Sequence, residues 1–302
     1  MYQLHSLLKK HLTDSPDCVR LLHGRGKLWP LLAHLSIDFY SPHILITTYK
    51  EIDQNEKDEL VKIICDLPGI KLESILLQKR YVKNEPVEVL WGINSSKAFA
   101  VENSEKYIIN FDNTQNIGFF LDMAVGREIM RKISKNKKVL NLFSYTCSLS
   151  VAALKGGASE VVNVDMSKPA LKRGEENHLI NGIDKRLARF VPHDIMKSFG
   201  NIARKGPYDI IIIDPPTNQG ESFNAEKEYH KIVRRLPEMA NPEAVVLACL
   251  NSPRLGSEFL LEIFKEHAPG FLFQEKHYSS FHEMESNPEE GLKILVFKNI
   301  NA

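Results

Sequence analysis

Three acidic residues stand where apolar runs end. Asp165 closes Val161-Val162-Asn163-Val164, Asp194 follows Val191-Pro192-His193, and Asp214 closes Ile210-Ile211-Ile212-Ile213 ahead of Pro215-Pro216. The first and third runs have the length and β-branched content of a strand buried in a sheet, and the second fits as a further strand end. A carboxylate at the carboxyl end of such a strand can accept hydrogen bonds from both hydroxyls of a ribose, which is the chemistry expected of Asp165. Asp194 could accept from the exocyclic amine of an adenine. Two prolines after Asp214 stiffen the backbone, so that its carbonyls can face a substrate amine or base. Taken singly, Asp165 could instead cap a helix, Asp194 could be a solvated loop acid, and Pro-Pro could simply end a strand.

A fourth segment joins them. Val139-Leu140-Asn141-Leu142 reads as a strand, Ser144-Tyr145-Thr146-Cys147-Ser148 as a tight turn, and Leu149, Val151, Ala152 and Leu154 as the start of a helix. An enzyme that binds a dinucleotide would carry Gly-x-Gly-x-x-Gly here, because backbone must approach a pyrophosphate. This turn has no glycine. A ligand with a ribose and no pyrophosphate fits better, and S-adenosylmethionine is such a ligand.

The elements that must position these residues follow from periodicity. From about residue 118 the spacing predicts strands at 138–142, 160–165, 188–191, 208–214, 244–250, 271–278 and 292–298. Helices fall between them, at 168–181 and 255–266 among others, a pattern that implies a parallel sheet with crossover helices. Before it, strands are expected at 35–39, 43–49 and 75–77, a helix at 54–67, and a hairpin of 98–102 with 106–111 around Asn103-Ser104-Glu105. The expected division is an N-terminal extension over 1–20, with helical spacing of Leu4, Leu7, Leu8 and Leu12, a small α+β domain over 21–117 suited to substrate recognition, and an α/β Rossmann-like domain over 118–302.

Bulk properties narrow the class. The chain has 302 residues, with 39 basic against 38 acidic ones, so no global field draws it to nucleic acid. The basic clusters Lys79-Arg80 with Lys83, Arg131-Lys132 with Lys135, Lys137 and Lys138, and Lys231 with Arg234-Arg235 could each track phosphates or be solvated faces. The four cysteines, Cys18, Cys65, Cys147 and Cys249, form no CxxC pair, so no metal is expected, and their scatter suits a reducing cytoplasm. No apolar run has the length of a membrane helix, so no membrane partner is expected. A homo-oligomer is compatible with the sequence.

Gly118-Phe119-Phe120-Leu121-Asp122, Leu140-Asn141-Leu142-Phe143-Ser144-Tyr145-Thr146, Val164-Asp165-Met166-Ser167, Asn177 with Asn181, and Asp214-Pro215-Pro216-Thr217 together resemble the class I S-adenosylmethionine-dependent methyltransferases. More narrowly they resemble the large-subunit ribosomal RNA methyltransferases that make 5-methylcytosine or 7-methylguanine, without the PUA domain many of those carry. The resemblance implies a Rossmann-like methyltransferase sheet, S-adenosylmethionine as cofactor and an RNA partner. It implies that Asn141, Ser144, Tyr145, Thr146, Cys147 and Ser148 wrap the methionine part. It also implies that Asp165 holds the ribose, Met166 lies against the adenine, Asp194 holds its amine, and Phe119 and Asp122 close the site. Asp214, Pro215 and Pro216 would face the methyl group and the target base, with Asn251 beside them.

The sequence departs from the family at three points. Cys147 replaces a glycine, where a side chain could crowd the cofactor. Ala124 replaces the first of two arginines, Arg127 matching the second. No aromatic closely follows Pro216, although Phe223 or Tyr229 could stack on an extruded base instead. Methylation at cytosine C5 requires a thiolate nucleophile. Asn251 stands at that position, as in the guanine-modifying relatives; Cys249, two residues earlier and on the same strand face, could be a displaced nucleophile but reads better as a small core residue. Nitrogen methylation of an RNA base is therefore expected. A small-molecule or protein methyltransferase, or a degenerate member that binds without catalysis, are the alternatives.

Overall fold

The computed structural model describes residues 2–12, 15–93, 95–113, 116–219 and 223–301. It divides into two compact units, Met1–Leu121 with Glu283–Ser286, and Asp122–His282 with Asn287–Ala302.

In the first unit, helix α1 (Tyr2–His11) is followed by strands β1 (Val19–His23), β2 (Leu35–Tyr40) and β3 (His43–Thr48), then α2 (Gln54–Cys65), β4 (Ser74–Lys79), β5 (Glu88–Gly92) and a hairpin of β6 (Lys97–Glu102) and β7 (Glu105–Asn110). The first five strands make one sheet in the order β1-β2-β3-β4-β5, antiparallel except for β3 with β4. Helix α2 begins where Asp53 accepts the Glu56 amide at 2.8 Å, a side-chain cap with an acid three residues on. Its Leu60, Ile63 and Ile64 meet Leu4 and Leu8 of α1 over Leu21, Ile37, Ile44, Ile46, Ile75 and Leu77. The first helix is thus part of this unit's core rather than a separate extension. The hairpin turns on Asn103 and Ser104, both left-handed (φ 51° and 69°), the geometry that matches strand twist in a two-residue turn.

The second unit runs α3 (Ala124–Ile133), β8 (Lys138–Leu142), α4 (Ser148–Lys155), β9 (Glu160–Val164), α5 (Lys168–Ile180), β10 (Ala188–Val191), α6 (Phe199–Ala203), β11 (Tyr208–Ile213), a short pair β12 (Asn218–Gln219) and β13 (Phe223–Asn224), α7 (Ala225–Val233), β14 (Ala240–Asn251), α8 (Ser257–His267), β15 (Phe271–Tyr278) and β16 (Leu292–Asn299). Its seven-stranded sheet has the order β10-β9-β8-β11-β14-β16-β15. The first five strands are parallel, β16 runs antiparallel to β14, and β15, antiparallel to β16, runs in the direction of the first five.

The four isoleucines of β11 explain the layering. Ile211 and Ile213 join one core beneath α7 and α8, while Ile210 and Ile212 join the other beneath α4. A strand buried on both faces needs such an unbroken apolar run. The order reverses between β8 and β11, and a doubly wound sheet leaves its ligand crevice at that point, beyond the carboxyl ends of the strands.

Candidate active site at the strand ends

The turn after β8 is held in a demanding shape. Phe143, Tyr145 and Cys147 all have positive φ (57°, 46° and 63°), which side chains resist and which persists only where surroundings enforce it. The bracing is visible. The Ser144 amide donates to Val164 O at 3.2 Å, Cys147 N to Ser144 O at 2.7 Å, and Tyr145 N to Asp165 Oδ2 at 2.9 Å. Asn177 Nδ2 on α5 donates to Thr146 O at 2.9 Å, and Asn181 Nδ2 donates to Asn177 O at 2.7 Å. The two asparagines singled out in the sequence therefore brace the turn from the helix behind it.

Cys147 takes up the left-handed conformation expected of a glycine and caps α4 (φ 63°, ψ 31°). Its side chain is fully buried and points at α5, where a Cβ built on Gly174 would lie 2.5 Å from its Sγ. The missing side chain of Gly174 makes the room that Cys147 needs. Burial pushes the thiol pKa far up, so it stays protonated.

Asp165 is 8% exposed and takes the Tyr145 and Ser167 amides on its two oxygens, the latter at 2.8 Å. Burial pushes its carboxyl pKa up, and the two amides pull it back. Each oxygen keeps a further lone pair. Asp165, Met166 and Asp194 line one pocket together with Phe143, Ile195, Met196 and Phe223. Asp194 also accepts the Met196 amide at 2.9 Å. The Phe143 and Phe223 rings lie 5.0 Å apart.

A second cluster gathers at the ends of β11 and β14. Asn251 Nδ2 donates to Asp122 Oδ2 at 3.2 Å, and Thr217 Oγ1 donates to the Asn251 carbonyl. Asp214 lies close enough to feel both Asp122 and the fully buried Arg127. Its pKa is pushed up to about 7, first by burial, then by the Asp122 charge, with Arg127 opposing. Asp122 thus belongs with Asp214 and Asn251, beside Pro215. Phe119 lies in the first unit, its ring 4.7 Å from that of Tyr107.

The raised pKa has a stability consequence. The unfolded chain would release this proton near 3.8, whereas the folded protein holds it to about 7. The folded state therefore binds more protons in that window, and stability falls as pH rises through it. Asp214→Asn is expected to raise Tm at pH 8 and to give no gain at pH 4, measured by thermal melts across pH.

Two aromatic candidates are corrected. Tyr229 is fully buried and its hydroxyl donates to Ile213 O at 3.4 Å and Cys249 O at 3.2 Å, tying β11 to β14 from below. Phe223 is 1% exposed and packed on Phe143 in the Asp165 pocket. Neither is presented for stacking on an extruded base. Cys249 is 1% exposed in the core with Leu247 and Ile294, and burial holds its thiol pKa well above the ordinary value. The basic clusters are partly neutralised: Lys79 pairs with Glu85 and Glu88, Lys132 with Glu128, Lys138 with Glu160, Lys231 with Glu228 and Arg235 with Glu238.

Sequence reading missed Ile195, Met196 and Phe143 as pocket residues. An apolar pair directly after the strand-end acid was the available signal for the first two.

Residues 19–298 match the S-adenosylmethionine-dependent methyltransferase family pattern. The chain belongs to that family. Ribosomal RNA large subunit methyltransferase I of Tolumonas auensis is 28% identical over 248 residues, which cover 79% of this chain and 62% of that protein. The chain thus spans less than two thirds of that methyltransferase. A chain crystallised in complex with SAH superposes with a TM-score of 0.85 at 23% identity, over 98% of this chain and 80% of that one. The Methanocaldococcus jannaschii tRNA m1G37 methyltransferase superposes with a TM-score of 0.64 at 17% identity, over 92% and 77%. At these identities the two structures speak for the methyltransferase fold.

The family's cofactor, S-adenosylmethionine, fits the residues present. Asp165 has acceptor capacity left for a ribose. Asn141 Oδ1 is buried with no hydrogen-bond partner among the described residues, an acceptor suited to the amino-acid end of the cofactor. Among the described residues no group of acids, histidines and cysteines could hold a metal ion. No helix there is long and apolar enough to cross a membrane.

Proposed function

We propose that this chain is an S-adenosylmethionine-dependent methyltransferase that methylates a ring nitrogen of an RNA base. The observation that carries the choice of atom is at the end of β14. The exposed residue there is Asn251, pinned by Asp122, while the nearby thiol of Cys249 is buried and protonated. Addition to cytosine C6 needs a thiolate, and this end of the sheet offers none. A ring nitrogen with its own lone pair needs only to be placed in line with the methyl group.

The cofactor supplies an electrophilic methyl group on a sulfonium. The remaining work falls to the chain. Asp165 would hold the ribose hydroxyls, and Asp194 the adenine amine, between Met166, Ile195 and Phe223. Asn141 and the turn 144–148 would hold the amino-acid end, with Cys147 turned away toward Gly174. Asp214, the Pro215 backbone and Asn251 would grip the base edge. Alkylating a ring nitrogen places positive charge on the base, and carboxylates fixed beside it stabilise that charge as it develops. Activity is accordingly expected to rise as Asp214 ionises, with its midpoint near the pKa of about 7. The names of the ribosomal and transfer RNA methyltransferases among its relatives support RNA as the substrate.

Incubation with methyl-labelled cofactor, total RNA, protein extract and small-molecule extract tests the substrate class. Label is expected in RNA; label only in protein or small molecules would overturn it. Cys249→Ala is expected to keep transfer within about threefold, since a small core change leaves the site intact. A complete loss in a folded Cys249→Ala protein would restore the cytosine reading.

A further inference from the structure

Behind the cofactor turn, four buried side chains form a continuous polar chain. Asn141 Nδ2 donates to Asn163 Oδ1 at 3.0 Å, and Asn163 Nδ2 donates to Ser150 Oγ at 3.1 Å. Ser150 Oγ lies 2.9 Å from His178 Nε2, and His178 Nδ1 lies 2.6 Å from Gly174 O. Asn163, Ser150 and Asn141 are at most 1% exposed and His178 is 2% exposed. They span β8, β9, α4 and α5.

The direction of this chain is determined by its end. A backbone carbonyl can only accept, so His178 Nδ1 carries the proton. Burial lowers the His178 pKa and keeps the ring neutral, so Nε2 must accept. Ser150 therefore donates its hydroxyl proton to His178, and its oxygen is left to accept from Asn163. The Asn163 oxygen then accepts from Asn141. The last free group is the Asn141 oxygen, which has no partner among the described residues. A donor at Nε2 would release the Ser150 proton from this duty and allow each link to turn around, with the Asn141 nitrogen as the free group. Amide orientations follow from such networks rather than from shape, and here a carbonyl on α5 fixes the orientation of a side chain on β8.

We propose that His178 is a positioning residue for cofactor binding: through Ser150 and Asn163 it holds the Asn141 carboxamide with its oxygen free to accept from the α-ammonium of the cofactor. This rests on the cofactor reading above, which gives Asn141 the amino-acid end, and adds the residue that governs that recognition.

The test is calorimetric titration of the full chain with three ligands: S-adenosylhomocysteine, its analogue lacking the amino group, and 5′-methylthioadenosine, which lacks the whole amino-acid end. His178→Leu removes the acceptor for Ser150. It is expected to weaken S-adenosylhomocysteine about tenfold, the scale of one charge-assisted hydrogen bond, and to leave the other two unchanged. His178→Gln, whose carboxamide oxygen can accept from Ser150, is expected to restore most of the loss. Ser150→Ala, a smaller change on α4, is expected to repeat the selective loss and carries the test if His178→Leu does not fold. Equal weakening of all three ligands would mark a merely structural network and overturn the proposal, as would unchanged affinity for S-adenosylhomocysteine. A parent protein that binds none of the three would instead defeat the cofactor reading, and this inference with it.

Discussion

Replacing Asp165 by alanine is expected to lower affinity for S-adenosylmethionine at least about 100-fold. Two hydrogen bonds to a charged acceptor, each about 1.5 kcal/mol at the low end, amount to about that factor. The same carboxylate also receives the Tyr145 and Ser167 amides. Alanine therefore leaves two donors to find water and loosens a turn whose left-handed residues need support. Asp165→Asn keeps an acceptor oxygen and should lie between parent and alanine. Calorimetric titration beside a thermal melt separates the two effects. Unchanged affinity in the alanine variant would remove Asp165 from the cofactor site.

The second large effect is a reversal of sign. Gly174→Ala places a Cβ 2.5 Å from Cys147 Sγ and 3.1 Å from Cys147 Cβ. Both atoms are buried, so the contact is overpacking, which costs about 1–3 kcal/mol. In a Cys147→Gly background those atoms are gone, and the next nearest is Thr146 C at 3.5 Å. Alanine then replaces glycine inside a helix, which is worth about 0.8–1 kcal/mol in its favour. The same substitution is thus expected to destabilise the parent and to stabilise the Cys147→Gly variant. A denaturant double-mutant cycle reads the coupling directly. Additive effects would mean that Cys147 does not occupy the space Gly174 provides.

Cys147 also shows where sequence reading stops. Its left-handed backbone follows from a family position that usually holds glycine. Its accommodation depends on Gly174, which comes 27 positions later and meets it only because α5 packs behind the turn. A sequence shows the departure but not the compensation. The strand-end acids were legible because an apolar run ending in a carboxylate is a local pattern, and Asp165 and Asp194 do meet in one pocket. The grouping of Asp122 with Asp214 and Asn251 was not legible, since it joins the start of the unit to the ends of β11 and β14. The surroundings of Phe223 were not legible either. It sits on β13, a strand of two residues paired with β12, too short to carry any periodicity.

The edge elements were harder for similar reasons. Strand β1 is five residues long with an irregular register against β2. Strand β5 is partly to largely exposed and ends at Gly92, so neither alternation nor apolar content marks it. The central strands were read to within a few residues because two-sided burial demands continuous β-branched sequence, as in the four isoleucines of β11.

Methyl transfer is expected to go to a ring nitrogen of an RNA base without a cysteine nucleophile. Nucleoside mass spectrometry of RNA methylated by the purified protein with labelled S-adenosylmethionine tests it most directly. Label is expected in a nitrogen-methylated nucleoside, retained when Cys249 is replaced by alanine. Label confined to 5-methylcytidine, and lost with Cys249, would contradict it.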